Sequence, residues 1–177
     1  MSGAKQVSLA EEGLSPNLED YLEAISRLQS RNRVARAKEI AEALGVSRGS
    51  VTGALRSLAE RELINYSPYS YITLTPKGER LAGEVIRRHR ALREFFEEIL
   101  RLDKVSADLN ACRVEHAMDL EAVNRLIKFV AFLKTCPRGG EPWLKAFEDF
   151  CDQGIDPARC EECLEDLKTG SGLPDPA

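Results

Sequence analysis

No apolar run in this 177-residue sequence reaches the roughly 18 residues that a membrane-spanning helix needs, so no span is expected. The first 15 residues hold no apolar stretch, so no secretory signal is read there. Cysteine is sparse and odd in number, at five. With no export signal, reduced thiols or metal ligation are expected before disulfides, and the location is expected to be cytoplasmic. No internal repeat or low-complexity tract is present. Nothing in the residues suggests a substrate cleft or an oxyanion hole, which argues against an enzyme. The length suits one domain, or two small ones sharing a core.

Charge is close to balanced overall: 25 Lys and Arg against 29 Asp and Glu, net −4. That sum alone does not suggest a nucleic-acid partner, but its distribution does. Residues 27–61 carry eight basic and three acidic side chains, net +5, while residues 134–177 carry five and ten, net −5. A basic segment is hidden by an acidic tail.

Residues 1–14 are expected to be a flexible N-terminus. Ser15-Pro16 then opens a helix, since proline suits a first turn whose N–H groups lack partners anyway. Leu18, Leu22, Ile25 and Leu28 recur at helical spacing and make its buried stripe. A second helix covers about 36–44, with Ile40 and Leu44 facing in and Gly45 ending it. Ser47 caps a third helix running to about residue 61, with Val51, Leu55 and Leu58 inside. Gly53 lies on its outer face, at a helix cost of about 1 kcal/mol against alanine. A glycine kept there suits close approach by something outside. LINYSPYSYITLT reads as two extended stretches around a proline turn. Helix, turn, helix and hairpin make a winged helix-turn-helix, assigned to residues 15–78. A long helix is expected from about 79 to 101, then a short one carrying residues 112–116. Another spans about 119–134 with Leu120, Val123, Leu126, Ile127, Val130 and Leu133 as a broad apolar face, serving as core and, in part, as interface. Residues 79–134 form an all-helical domain, and 135–177 a cysteine-containing tail. The fold class is mainly α.

Recognition helices enter the DNA major groove N-terminus first. Ser47, Arg48, Gly49, Ser50, Thr52 and Arg56 lie on or near the exposed side of the third helix, and Tyr69 at the hairpin tip is placed to touch the backbone. Hydroxyls and a helix N-terminus suit phosphate or base-edge hydrogen bonds. The alternative is a winged helix used for protein contacts. One such unit reads few bases. Two in fixed relation read two half-sites, so a homodimer on double-stranded DNA is expected.

Cys112, Glu115 and His116 stand at i, i+3 and i+4 and share a short helical surface. His89 sits in the polar stretch RRHR. Asp20 and Glu23, three apart on the first helix, avoid its apolar stripe. Together they offer up to six N, O and S ligands, a mixture suited to a first-row divalent metal, with the thiol tilting toward Fe(II). Each also has a plainer role open to it: Asp20 and Glu23 as helix N-terminal charges, His89 as a surface base, Cys112 as a small hydrophobe, Glu115 as an arginine partner. A nucleophilic thiol with His116 as base is a further alternative.

The motifs LEDYLEAI, AKEIAEALGVSRGSVTGALRSLAERELI, LTPKG, RRHRALREFFEEIL and CRVEHAM, in that order, resemble the diphtheria toxin repressor family of metal-dependent regulators. The resemblance runs from about Ser15 to Leu133 and covers iron-dependent repressors and manganese transport regulators. It implies a dimer that binds palindromic operators after taking up Fe(II) or Mn(II), and repression of metal-uptake genes. The family's primary ligands fall on Asp20, Cys112, Glu115 and His116, and in the manganese branch also on Glu23 and His89. Asp20 matches the manganese branch and Cys112 the iron branch, so the chain looks like a hybrid. An ancillary iron-branch site falls on His89, Arg93 and Asp108. Arg93 does not ligate, so that site is expected to be altered or lost. Gly53 stands where the family often has a longer polar residue, which implies a different operator.

About 44 residues follow Leu133, too few for the linker and SH3-like domain of many iron-branch members. They carry Cys136, Cys151, Cys160 and Cys163, which offer a second site for Zn(II) or an iron–sulfur cluster. The alternative function is a winged-helix regulator that responds to redox state or another ligand through those cysteines.

Overall fold

A computed structural model describes residues 13–67, 70–135 and 140–154. By internal packing the chain divides at His89 and Arg90.

The first unit begins with α1, Pro16–Asn32, with Pro16 in its first turn and Ser15 ahead of it in extended backbone. Leu22 and Ile25 of the expected stripe are fully buried, and Leu18 and Leu28 pack at its margin. Arg33 turns left-handed at φ 65° to end the helix. Helix α2, Ala37–Leu44, is capped by Glu39, whose carboxylate accepts the Arg36 N–H at 3.1 Å. Gly45 closes it at φ 65°, where glycine avoids the Cβ clash. Helix α3, Arg48–Glu60, starts at Ser47, whose hydroxyl accepts the Ser50 N–H at 3.1 Å. Val51, Leu55 and Leu58 are fully buried, as their spacing requires.

Strands β1, Ile64–Asn65, and β2, Thr73–Leu74, pair antiparallel, Ile64 opposite Leu74. Ala35 bridges Ile72 as a third edge. The Gln29 side chain accepts the Leu74 N–H at 2.9 Å and ties the hairpin to α1. This is the winged helix-turn-helix expected from the sequence, around one apolar core.

Helix α4, Pro76–Glu94, starts three residues before the expected 79. Proline is favoured in a first helical turn, and Thr75 accepts the Gly78 N–H at 3.1 Å. A π-helical turn, Phe95–Ile99, follows. It spends one extra residue per turn and shifts the helical register.

In the second unit, α5, Lys104–Val114, is capped by Asp103, which accepts N–H groups from Val105 and Ser106. Helix α6, Leu120–Thr135, buries Val123, Val130 and Leu133. Leu120, Leu126 and Ile127 are only half-buried, so the expected face is narrower in its core part. Helix α7, Glu141–Gln153, lies in the stretch read from sequence as a cysteine-containing tail, to which no helix was assigned. Its Leu144 packs with Ile99, Val130 and Leu133. Arg101 pairs with Glu141 and Glu148 and holds the same helix from its polar side. Among the described residues the fold is thus a winged helix followed by helices alone. No helix among the described residues is long and apolar enough to cross a membrane.

Candidate metal centre

Helix α1 presents Glu19, Asp20 and Glu23 within little more than one turn. Glu19 and Glu23 are buried and Asp20 is half-buried. The Glu23 carboxylate accepts from Arg27 at 2.8 Å, one turn on. The Glu19 carboxylate accepts from Arg88 of α4 at 2.5 Å. Next to Arg88, His89 is buried at 6 % exposure. Burial pushes the Tyr21 phenol up from its ordinary pKa, and the adjacent Asp20 carboxylate adds to the shift.

Helix α5 ends at Val114, so Glu115 caps it rather than lying inside it. Its N–H still reaches Ala111 O at 2.9 Å, which keeps the last turn helical. Glu115 is only 1 % exposed, and its Oε1 lies 3.4 Å from His116 Nε2. A carboxylate buried this deeply requires polar or charged neighbours.

Two groups of donor atoms come within 4.8 Å of one another: one from His89, Cys112 and Glu115, the other from Asp20, Glu115 and His116. Glu115 belongs to both. Cys112 is exposed, and the rest are buried or half-buried. Glu23 stands outside both groups, as do the exposed Arg93 and Asp108.

The donor set fits a divalent first-row cation. It combines hard carboxylate oxygen, borderline imidazole and soft thiol. Small side-chain adjustments bring atoms spaced this way onto one ion at bonds of about 2.0–2.3 Å. Of the four tail cysteines, Cys151 is exposed on α7. Cys136, Cys160 and Cys163 lie outside the described residues.

On the DNA side, Ser47, Arg48, Gly49, Ser50 and Arg56 are exposed and Thr52 is half-buried. The Thr52 hydroxyl donates to Arg48 O at 3.0 Å, and the Ser47 and Ser50 hydroxyls lie 2.9 Å apart. Arg48 and Arg56 have no ion-pair partner among the described residues, so their charge is available to a phosphate or base edge. Tyr69 lies outside the described residues. Its neighbour in the wing, Tyr71, is exposed and stacks under the Arg36 guanidinium at 5.1 Å. The sequence reading passed over this contact and the Glu19–Arg88 pair. Both join residues distant in sequence, and no local spacing marks them.

Residues 13–72 match the N-terminal DNA-binding domain of iron-dependent repressors, and residues 75–144 match their metal-binding and dimerisation domain. An uncharacterized HTH-type transcriptional regulator of Methanocaldococcus jannaschii is 35 % identical over 122 residues, which span 68 % of this chain and 98 % of that protein. The HTH-type transcriptional regulator MntR of Lysinibacillus sphaericus is 32 % identical over 124 residues, spanning 70 % and 88 %. The solved structure of the manganese regulator SloR superposes with a TM-score of 0.60 at 32 % identity, over 70 % of this chain and 58 % of that one. This chain therefore covers less than two thirds of that structure. Its two matched domains and its relatives agree: the chain belongs to the iron-dependent repressor family, the diphtheria toxin repressor and manganese transport regulator group of metal-dependent helix-turn-helix transcriptional regulators.

Proposed function

We propose that this chain is a cytoplasmic homodimeric repressor that binds palindromic operators of metal-uptake and homeostasis genes when Fe(II) or Mn(II) is plentiful. The observation that carries this reading is the pair of donor groups sharing the buried Glu115. Asp20, His89, Cys112, Glu115 and His116 hold the cation, and Glu23 joins them when it releases Arg27. Bound there, the cation supplies the positive charge that the gathered carboxylates otherwise lack. Relieved of mutual repulsion, the carboxylates hold α1 in one position. The winged helix carrying α3 is held with it. The competent state is favoured by linkage: whatever binds it better also populates it. Ser47, Arg48, Gly49, Ser50, Thr52 and Arg56 then meet the operator.

The matched dimerisation domain supports a homodimer. So does exposed apolar surface in the second unit, where Phe129, Phe132, Trp143 and Phe150 face outward. A second copy of the chain is the partner assigned to that surface.

Anaerobic purification with elemental analysis, followed by operator titration with and without chelator, tests the reading. Metal-dependent operator binding is expected, and it is lost in Glu115→Ala and His116→Ala while both remain folded dimers. Binding that ignores the chelator would favour the alternative, a response through the tail cysteines. Elemental analysis also counts metals per chain, and Zn or iron beyond the first site would assign Cys136, Cys151, Cys160 and Cys163 a second one.

A further inference from the structure

The metal-responsive reading leaves one buried ion pair without a role. Glu19 and Arg88 are each 6 % exposed and meet at 2.5 Å across 69 positions of sequence. Each stands immediately before a proposed ligand, Glu19 before Asp20 and Arg88 before His89. Neither belongs to a donor group, and a guanidinium does not ligate a cation. The pair is therefore not part of the metal shell.

Nor is it a natural choice for stability alone. Two charges taken out of water regain little beyond what a well-packed apolar pair of the same volume would give. Here the exchange is poorer still, because Arg88 Nε is buried with no hydrogen-bond partner. The apolar core already holds α1 to the rest of the unit, with Tyr21, Leu22 and Ile25 packed in one cluster with Leu81, Ala82 and Val85. Apolar contacts are non-directional. They let a helix slide or roll by fractions of an ångström at low cost. A charged hydrogen bond between fixed helix positions does not.

We infer that Glu19 and Arg88 are positioning residues: their buried pair sets the register of α1 against α4, so that Asp20 and His89 are held ready before any cation arrives. This rests on the metal-responsive reading above. The pair also removes one like charge from the acidic turn of α1, since Arg88 answers Glu19 as Arg27 answers Glu23. A preorganised site loses less side-chain freedom on binding and so binds more tightly.

The test uses the full chain and Mn(II), whose free ion is counted by electron paramagnetic resonance. Arg88→Met removes the charge at similar length, Arg88→Lys keeps it, and Glu19→Gln is nearly isosteric. Expected is a loss of Mn(II) affinity of about 10- to 100-fold in Arg88→Met and Glu19→Gln, the range for groups that orient ligands. The number of Mn(II) ions per chain stays that of wild type, and Arg88→Lys recovers most of the affinity. Melting without metal is recorded in parallel. A lowered melting point with Mn(II) affinity within about twofold of wild type makes the pair merely structural and overturns the inference. If Arg88→Met does not fold, Glu19→Gln decides alone by the same criterion. Failure of the wild-type chain to bind Mn(II) overturns the metal reading and the pair's role with it. Normal wild-type binding with unchanged variants overturns only the pair's role.

Discussion

Gly78 lies so close to Leu63 that a Cβ on the glycine would stand 2.0 Å from the Leu63 carbonyl oxygen. That oxygen also accepts the Thr75 N–H at 3.0 Å, so it cannot swing away without cost. The glycine thus lets the start of α4 sit directly on the residue that leads into β1. Gly78→Ala is expected to destabilise the protein by about 1–3 kcal/mol or more, the range for overpacking, since the obstructing atom is backbone. Denaturant unfolding of the variant measures it, and unchanged stability would contradict the close approach.

Gly53 is the opposite case. A Cβ there meets nothing within 4 Å. Gly53→Ala is therefore expected to stabilise α3 by up to about 1 kcal/mol through helix propensity. Gly49, Ser50 and Arg56 share its face by helical spacing. If that face approaches the operator, the same substitution weakens operator binding severalfold while raising the melting point. Opposite signs in the two measurements separate a functional glycine from a neutral one.

Asp103 holds the start of α5. A hydrogen bond from the Ser106 side chain first, and backbone N–H groups of Ser106 and Val105 besides, keep its carboxyl below the usual aspartate pKa. A group whose folded pKa is depressed contributes stability above its unfolded pKa and loses it as pH falls through the folded value. Metal-free protein should lose this contribution progressively below about pH 4. Asp103→Asn keeps an acceptor but does not titrate over this range. Its unfolding free energy should therefore fall less steeply with acid than that of wild type, and parallel profiles would exclude the cap as the source.

Cys112 is the soft member of the proposed ligand set. Cys112→Asp is expected to lower affinity for a soft cation such as Cd(II) far more than for Mn(II), because carboxylate suits the harder ion. Competition against a chromophoric chelator gives both constants. Equal losses for the two metals would mean that the thiol is not a ligand.

Phe132 is 58 % exposed on α6. Phe132→Glu should leave the chain's own folding almost untouched, since the side chain is already in water. It should shift sedimentation from dimer toward monomer. A dimer of unchanged affinity would remove this surface from the proposed interface.

The winged helix was legible because its signals are local. Proline at 16, glycine at 45 and serine at 47 act on the backbone beside them, and the Val51, Leu55, Leu58 spacing marks a helix face whatever it packs against. Helix α7 was equally open to reading from Gly140, Pro142 and the apolar positions Trp143, Leu144, Phe147 and Phe150. Cysteine spacing drew attention to metal chemistry in that stretch instead. The start of α4 at Pro76 was missed because Pro76, Lys77 and Gly78 were read as a lead-in to the helix, although proline suits a first helical turn.

Sequence by itself determined the helix faces, the caps, the candidate ligands and the family to which the chain belongs, because periodicity, capping chemistry and motif order are carried by neighbours along the chain. Only the tertiary structure decided that Glu115 is shared by two donor groups and that Arg88 reaches Glu19. Contacts across many tens of residues depend on how helices pack, and packing is set by the whole core rather than by any local run.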